Sequence, residues 1–508
     1  MKQYFIGIDI GTSAAKTLLM DENGVVKAQV SREYPLYQPA NGWAEQDPED
    51  WKNAVFSAVR ELVESSQVER ELVKGIGFSG QMHGLVMLDE RGKPIRRSII
   101  WCDHRSAEQT AEMSSLMPEE KWLEITANPP IAAWTAAKIL WVRKEEPENW
   151  KKCRHILLPK DYIRYCLTGI FATDVSDASG MQLLDVKNRV WSDTVLECLS
   201  IDKSMLAQVF ESQEVTGTLL PEAAEKLGLT EKVKVVAGAA DNAAAAVGIG
   251  VVRDRESFTT IGTSALLYTH LEHYTPVPGG GLHLCCAAVP GSWFTMGGPQ
   301  AAGLSLEWFK DSYCQDMTEQ ADREGRSVYQ LINEAAEKIP AGSERLIYMP
   351  YLMGERTPHM NPKCRGAFVG LNIIHQKAHL LRAIMEGIAY SLADCNALLK
   401  GTGTEISSMK ACGGGSRSRL WRQILADLYE CEIQTLAEEE GPAYGAAILA
   451  GVGTCAFPDV SWACRQFIKT GDTVKPDSEE AKLYKKYHAV YDSLYHHMAE
   501  DFEALYEL

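Results

Sequence analysis

Five residues, Ile10-Gly11-Thr12-Ser13-Ala14, recur letter for letter as Ile261-Gly262-Thr263-Ser264-Ala265. The offset is 261 − 10 = 251 residues, close to half of the 508-residue chain. Each copy ends an apolar, strand-like run (Phe5 to Ile10, Ser257 to Ile261), and each is followed by another (Thr17 to Met20, Leu266 to Tyr268). A strand-turn-strand unit repeated half a chain apart points to two similar halves, each offering a loop to a shared cleft. The length asks for the same division, because one core does not grow to this size. We therefore expect domains at residues 1–250 and 251–508, with the boundary near Gly248 to Arg255.

The first copy carries chemistry. Gly11 lets the backbone approach a ligand closely. The N–H groups and hydroxyls of Thr12 and Ser13 suit phosphate oxygens, and Lys16 adds positive charge. Asp9, at the end of its strand, can hold Mg²⁺ through water.

A net charge of −17 argues against a sequence-independent nucleic-acid binder, which needs a basic surface. The first residues do not read as a signal peptide, and no apolar run approaches a membrane span. The 13 cysteines contain no C-x-x-C pair, so a reducing cytoplasm is the expected setting. His375 and His379 stand at i, i+4 without an evident third ligand, and read as surface histidines of a helix rather than a metal site.

Along the chain, Asp47-Pro48 caps a helix that runs to about Ser65. A strand from Val73 to Phe78 delivers Ser79-Gly80-Gln81-Met82-His83-Gly84, a polar group between glycines at a strand end, where open α/β sheets bind ligands. Ile99 to Arg105 reads as a strand with a charged end. Thr135 to Lys144 is helical. Thr173 to Gly180 reads as a polar loop lining a cleft. A buried strand, Lys232 to Ala237, stops before an alanine-rich helix that opens with Asp241-Asn242, whose dipole keeps the Asp241 carboxylate ionised. Gly297 to Gly303 leads into a helix carrying Glu307. Met349 to Pro358 is an irregular loop. A long amphipathic helix spans about Gln376 to Leu399. A strand from Ile406 to Ala411 ends in Cys412-Gly413-Gly414-Gly415-Ser416, and Gly441 to Ala447 starts a tightly packed helix.

Together these segments resemble the FGGY carbohydrate kinases. Asp9 to Ser13 is similar to the family's first phosphate motif and Ile261 to Ser264 to its second. Cys412 to Ser416 is similar to its adenosine motif, and Gly238 to Asn242 to the segment with its catalytic base. Lys138 and Trp141 match a helix found across the family. The resemblance implies an α/β, two-domain ribonuclease-H-like fold, shared with actin, hexokinase and Hsp70, with a central cleft. It implies ATP and Mg²⁺ in that cleft. Gly11, Thr12, Ser13, Lys16, Gly262, Thr263, Gly303, Glu307, Gly414, Gly415 and Ser418 would hold the nucleotide, and Asp9 the metal. Asp241 would be the base, for which an ordinary carboxylate pKa near 4 suffices. Gly80 to Gly84 resembles the sugar motif of the xylulokinases, which implies D-xylulose as substrate, bound by Gln81, Met82, His83, Asp241 and Asn242. Glycerol kinases usually carry an Arg-Glu pair there and a tyrosine near Ala133. Ser418 stands where many relatives have asparagine, and Glu307 where glycerol kinases have glutamine. The expected partners are a sugar and ATP, with no nucleic acid and no membrane; a homodimer stays open. The alternatives are a kinase for another sugar or polyol (ribulose, gluconate, a sugar alcohol), or a non-catalytic actin- or Hsp70-like ATPase or sugar sensor. A sensor would need a basic helix-turn-helix before Asp9. A chaperone would need more than the roughly 55 residues after Gly453 for its peptide-binding domain.

Overall fold

Two seven-stranded sheets organise the computed structural model, which describes residues 2–508. In the first, strand Tyr4–Ile10 lies between Ala14–Asp21, antiparallel to it, and Val73–Gly80, parallel to it. Val26–Glu33 extends one edge, and Lys234–Val236 and Val215–Thr218 the other. In the second, Glu256–Ile261 lies between antiparallel Ala265–Leu271 and parallel Ser408–Cys412. The repeated pentapeptide thus closes the same hairpin, beside the same parallel neighbour, in both sheets. Gly11 N–H donates to Ala14 O (3.1 Å), and Gly262 N–H to Ser264 O (2.9 Å). The two-domain α/β architecture is the one the resemblance implied.

The helix Pro48–Ser66 begins on the Asp47 cap, whose carboxylate accepts from Glu49 N–H (3.0 Å). Its Trp51, Val55, Val59 and Leu62 are buried against the first sheet. Helix Asp241–Ile249 packs against helix Gly441–Gly453 at a stripe of small residues. A Cβ added at Gly445 would overlap the Ala244 carbonyl, and one at Gly248 the Gly441 carbonyl. The other face of helix Gly441–Gly453 lies on the first sheet, where Gly7 and Gly77 meet the Ala443 and Ala446 carbonyls equally closely. A helix from late in the chain is therefore built into the core of the early sheet.

Three readings of local structure are corrected. The strand expected at Ile99 to Arg105 is only Ser98–Ile99. Beyond it, the chain turns so that Arg105 can pair with Asp103 and Glu45 (both 2.7 Å) while lying over Trp43 and Trp141. The polar Thr173 to Gly180 segment is strand Ala172–Asp174 and helix Val175–Ser179, buried throughout. Its polarity serves an internal ion cluster, not a wetted wall. His375 precedes the helix Lys377–Gly401, and His379 Nδ1 accepts from Gln376 N–H (3.1 Å) as part of its N-terminal cap.

Candidate active site

Three neighbouring parallel strands end at one edge of the first sheet: Tyr4–Ile10, Val73–Gly80 and the short Ala239–Ala240. Ile10 lies opposite Gly80, and Gly80 opposite Ala240. Residues just before and after these ends are thereby gathered: Asp9 and Gly11, then Gln81 to His83, then Asp241 and Asn242. Carboxyl ends of parallel strands are the usual ligand edge of such sheets.

Asp9 is buried, and its Oδ1 accepts from Ser79 Oγ (2.8 Å). Asp241 is the first residue of its helix and does not cap it. Its Oδ1 accepts from Asn242 N–H (2.7 Å) and Asn242 Nδ2 (3.0 Å), and among the described residues Oδ2 has no partner. The pKa of Asp241 is not ordinary, as the sequence had suggested. Burial, reinforced by the negative charge of Asp9, pushes it up to about 7 and outweighs the Asn242 N–H. Burial raises Asp9 as well, against the pull of Ser79 and Lys16. Asp9 is buried and Asp241 half-buried, and Asp9, the carboxyl with the charge of Lys16 acting on it, is the one that would hold a cation. Among the described residues no cluster of three or more His, Cys, Asp or Glu side chains could hold a metal. That donor set suits Mg²⁺, which keeps several waters and takes one or two carboxylates together with phosphate oxygens.

The segment leading into Asp241 is pinned from beneath. Ser176 Oγ accepts from Ala240 N–H (3.0 Å), and Arg164 Nη1 donates to Ala237 O (2.5 Å). Asp174 accepts from Ser176 N–H (2.8 Å) and pairs with Lys160 (2.7 Å), which also meets Asp161 (2.6 Å) and Asp177 (3.2 Å). All are buried, so this network over-determines the backbone before Asp241.

His83 has φ 67°, a strained value for a non-glycine residue. Three contacts hold it: Lys138 Nζ donates to His83 O (2.8 Å), Thr135 Oγ1 donates to the same oxygen (3.2 Å), and the ring stacks on Trp134 at 4.7 Å. Nδ1 faces the Gly180 carbonyl (2.8 Å) and so carries the hydrogen, which leaves Nε2 as an acceptor. Burial keeps the imidazole neutral and brings Lys138 down to about 7. Gln81 braces the first turn instead of standing free: its Nε2 donates to Gly11 O (3.3 Å) and Gln46 Oε1 (2.7 Å). Met82 is buried, its sulfur 3.9 Å from Asn242 Nδ2. Trp101 Nε1 donates to Thr12 Oγ1 (2.9 Å), so the Thr12 hydroxyl hydrogen is free to point at a ligand. Ser13 and Lys16 are exposed.

In the second half a cavity of about 560 Å³ opens beside the second turn. Gly262, Thr263, Gly303, Glu307, Gly414, Gly415 and Ser418 all line it. Gly413, at φ 80°, turns the chain out of strand Ser408–Cys412, and Ser418 caps the next helix by accepting from Trp421 N–H (3.1 Å). Its hydroxyl hydrogen goes to Asn333 Oδ1 (2.5 Å). Asn333, Tyr329 and Gln330 are wall residues the sequence reading missed. The signal available was the Ser327 cap with polar residues on one face of the helix Val328–Glu337. Gly11, Thr12, Ser13 and Lys16 are not among its walls; they belong to the opposite half.

The irregular loop at Met349 to Pro358 is tied to this site. Glu355 Oε1 accepts from Gln300 N–H (3.2 Å) and Arg356 N–H (2.8 Å), and its buried Oε2 has no partner among the described residues. Burial pushes its pKa from 4.5 up to about 8. A carboxyl raised on folding favours the fold below its unfolded pKa, and that contribution is lost as pH rises through about 8. Glu355→Gln keeps the acceptor and removes the titration. The melting temperature of wild type should therefore fall relative to this variant between pH 5 and pH 9, measured by scanning fluorimetry; a constant gap would show that Glu355 stays ionised.

Residues 4–248 match the model of the FGGY family of carbohydrate kinases, N-terminal domain, and residues 258–454 that of its C-terminal domain. A Bacillus subtilis (strain 168) protein named xylulose kinase is 39% identical over 495 residues, covering 97% of each chain. Two structures from Lactobacillus acidophilus, a ligand-bound xylulose kinase and a gluconate kinase, each superpose with a TM-score of 0.92 at 28% identity, over 99% of this chain and 100% of theirs.

Proposed function

The chain belongs to the FGGY family of carbohydrate kinases, and from that premise we propose that it transfers the γ-phosphoryl group of ATP to O5 of D-xylulose. The observation that carries the reading is the Asp9–Asp241 pair at the strand ends of the first half, complemented by the glycine-walled cavity of the second. The full-length similarity to proteins named xylulose kinase supports the choice of sugar.

In this reading Asp241 Oδ2 takes the proton of the O5 hydroxyl as that oxygen bonds to the γ-phosphorus and the bond to ADP breaks. The transition state is loose, so alignment and charge neutralisation carry most of the rate. The raised basicity of Asp241 suits a base working near neutral pH. Asp9 would hold Mg²⁺, which when bound neutralises phosphate charge and relieves the repulsion between the two carboxyls. The turns at Gly11 to Ser13 and at Gly262 and Thr263 would donate N–H and hydroxyl groups to phosphate oxygens, with Lys16 at the rim. Gly303, Glu307, Gly414, Gly415 and Ser418 would form the adenosine end. His83 Nε2 would accept from a sugar hydroxyl, Asn242 and Met82 would complete the contact, and Gln81 would hold the first turn in place. The 13 free thiols support a cytoplasmic setting. Among the described residues no helix is long and apolar enough to cross a membrane.

ATP consumption measured across pentuloses, polyols and aldonates tests the assignment. The expected result is a kcat/KM for D-xylulose above all others; a preference for gluconate or a polyol would replace the substrate while keeping the reaction. His83→Ala should raise the KM for D-xylulose about 10-fold or more, as expected for a buried polar contact left unmade, and change that for ATP little. Parallel changes in both would mark His83 as structural.

A further inference from the structure

We propose that Arg356 is a sugar-recognition residue supplied by the second half, donating to oxygens at the end of the substrate remote from the phosphorylated hydroxyl. The inference rests on the kinase reading above. The backbone on both sides of Arg356 is fixed. Glu355 accepts its N–H, and Thr357 Oγ1 accepts from Gly298 N–H (2.6 Å) and donates to Gly298 O (3.3 Å). Both anchors are buried, each 2% exposed, while the Arg356 side chain between them is exposed. Among the described residues its guanidinium takes part in no ion pair or hydrogen bond.

Gly298 directly follows strand Trp293–Gly297, and Met296 of that strand lies opposite His283. His283 is 5.5 Å from Trp134, which stacks on His83. Arg356 is thereby brought to the side of the pocket where the two halves meet. Its charge acts on both imidazoles, adding to burial in keeping them neutral. The neighbourhood of His83 therefore draws on both halves: Met82 beside it touches Asn242, which follows Asp241, while the charge of Arg356 reaches it from the second half. A guanidinium only donates, in a planar fork. The matching acceptors on a 2-ketose are the C2 carbonyl and O1, at the far end from O5. A C1 carboxylate of an aldonic acid would meet the same fork.

The test uses wild type, Arg356→Ala and Arg356→Lys with D-xylulose and with 1-deoxy-D-xylulose, which lacks O1. The expected result is a sugar KM raised about 10-fold or more in Arg356→Ala, a smaller increase in Arg356→Lys, and little change in the KM for ATP. Loss of O1 should cost wild type more than it costs Arg356→Ala. Calorimetric binding of D-xylulose without nucleotide should weaken in step, and unchanged melting temperatures would exclude misfolding, as an exposed side chain predicts. An unchanged sugar KM, an equal O1 penalty in both proteins, or an effect confined to ATP would overturn the proposal. Wild type inactive on every sugar would overturn the kinase reading itself.

Discussion

Replacing Asp241 by alanine or asparagine should lower kcat for sugar phosphorylation by about 10²–10⁴-fold, the usual contribution of a positioned base. The fold should not follow. Asp241 opens its helix without capping it, and among the described residues its side chain bonds only to the neighbouring Asn242. Removing it also relieves the repulsion with Asp9, so the melting temperature of the unliganded protein should stay level or rise. ATP binding, which we propose on the walls of the second half, should persist in calorimetry. Activity within a few-fold of wild type would take Asp241 out of the mechanism. A large loss of stability with the loss of rate would make its role structural.

The second large effect is expected at Gly445. Its Cα faces the Ala244 carbonyl so closely that any side chain must push the two helices apart. Those helices cannot separate freely, because the other face of helix Gly441–Gly453 is held on Gly7 and Gly77. Overpacking a core this tight costs about 3 kcal/mol or more, which for domains of this size is a melting-temperature decrease on the order of 10 °C. Gly445→Ala should show about that decrease, and Gly445→Val should leave little folded protein. Gly401→Ala, where an added Cβ meets nothing within 4 Å, is the control and should be neutral or slightly stabilising. Equal melting temperatures for Gly445→Ala and Gly401→Ala would mean that the helices give way without cost.

Most of the candidate site was legible because strand ends, caps and glycine turns leave local marks. The Asp47-Pro48 start, the two Gly-Thr-Ser turns and the Asp241 helix are set by residues within a few positions of one another. What escaped depends on distant partners. The polar Thr173 to Gly180 segment looks like a solvated loop until Lys160, from another helix, meets its carboxylates. The basicity of Asp241 depends first on its burial in the folded chain and then on Asp9, 232 residues earlier (241 − 9), which the ladder of three strands brings near it. Tyr329 and Asn333 carry no motif and reach the cavity because their helix crosses it. Arg356 lies in a segment without periodicity, and its direction is set by its two buried neighbours rather than by its own sequence.

The placement of helix Gly441–Gly453 against the first sheet also bears on how the chain is made. The sheet and the Asp241 helix are complete once residue 249 has emerged, but their covering helix begins 441 − 249 = 192 residues later. At roughly 5–20 residues per second, that interval is on the order of 10–40 s. Throughout it, the glycine-lined face of the nascent sheet has nothing of its own to close on. The early half is thus a receptor waiting for a late segment, and it is the order of synthesis, as much as the final contacts, that decides when its core becomes dry.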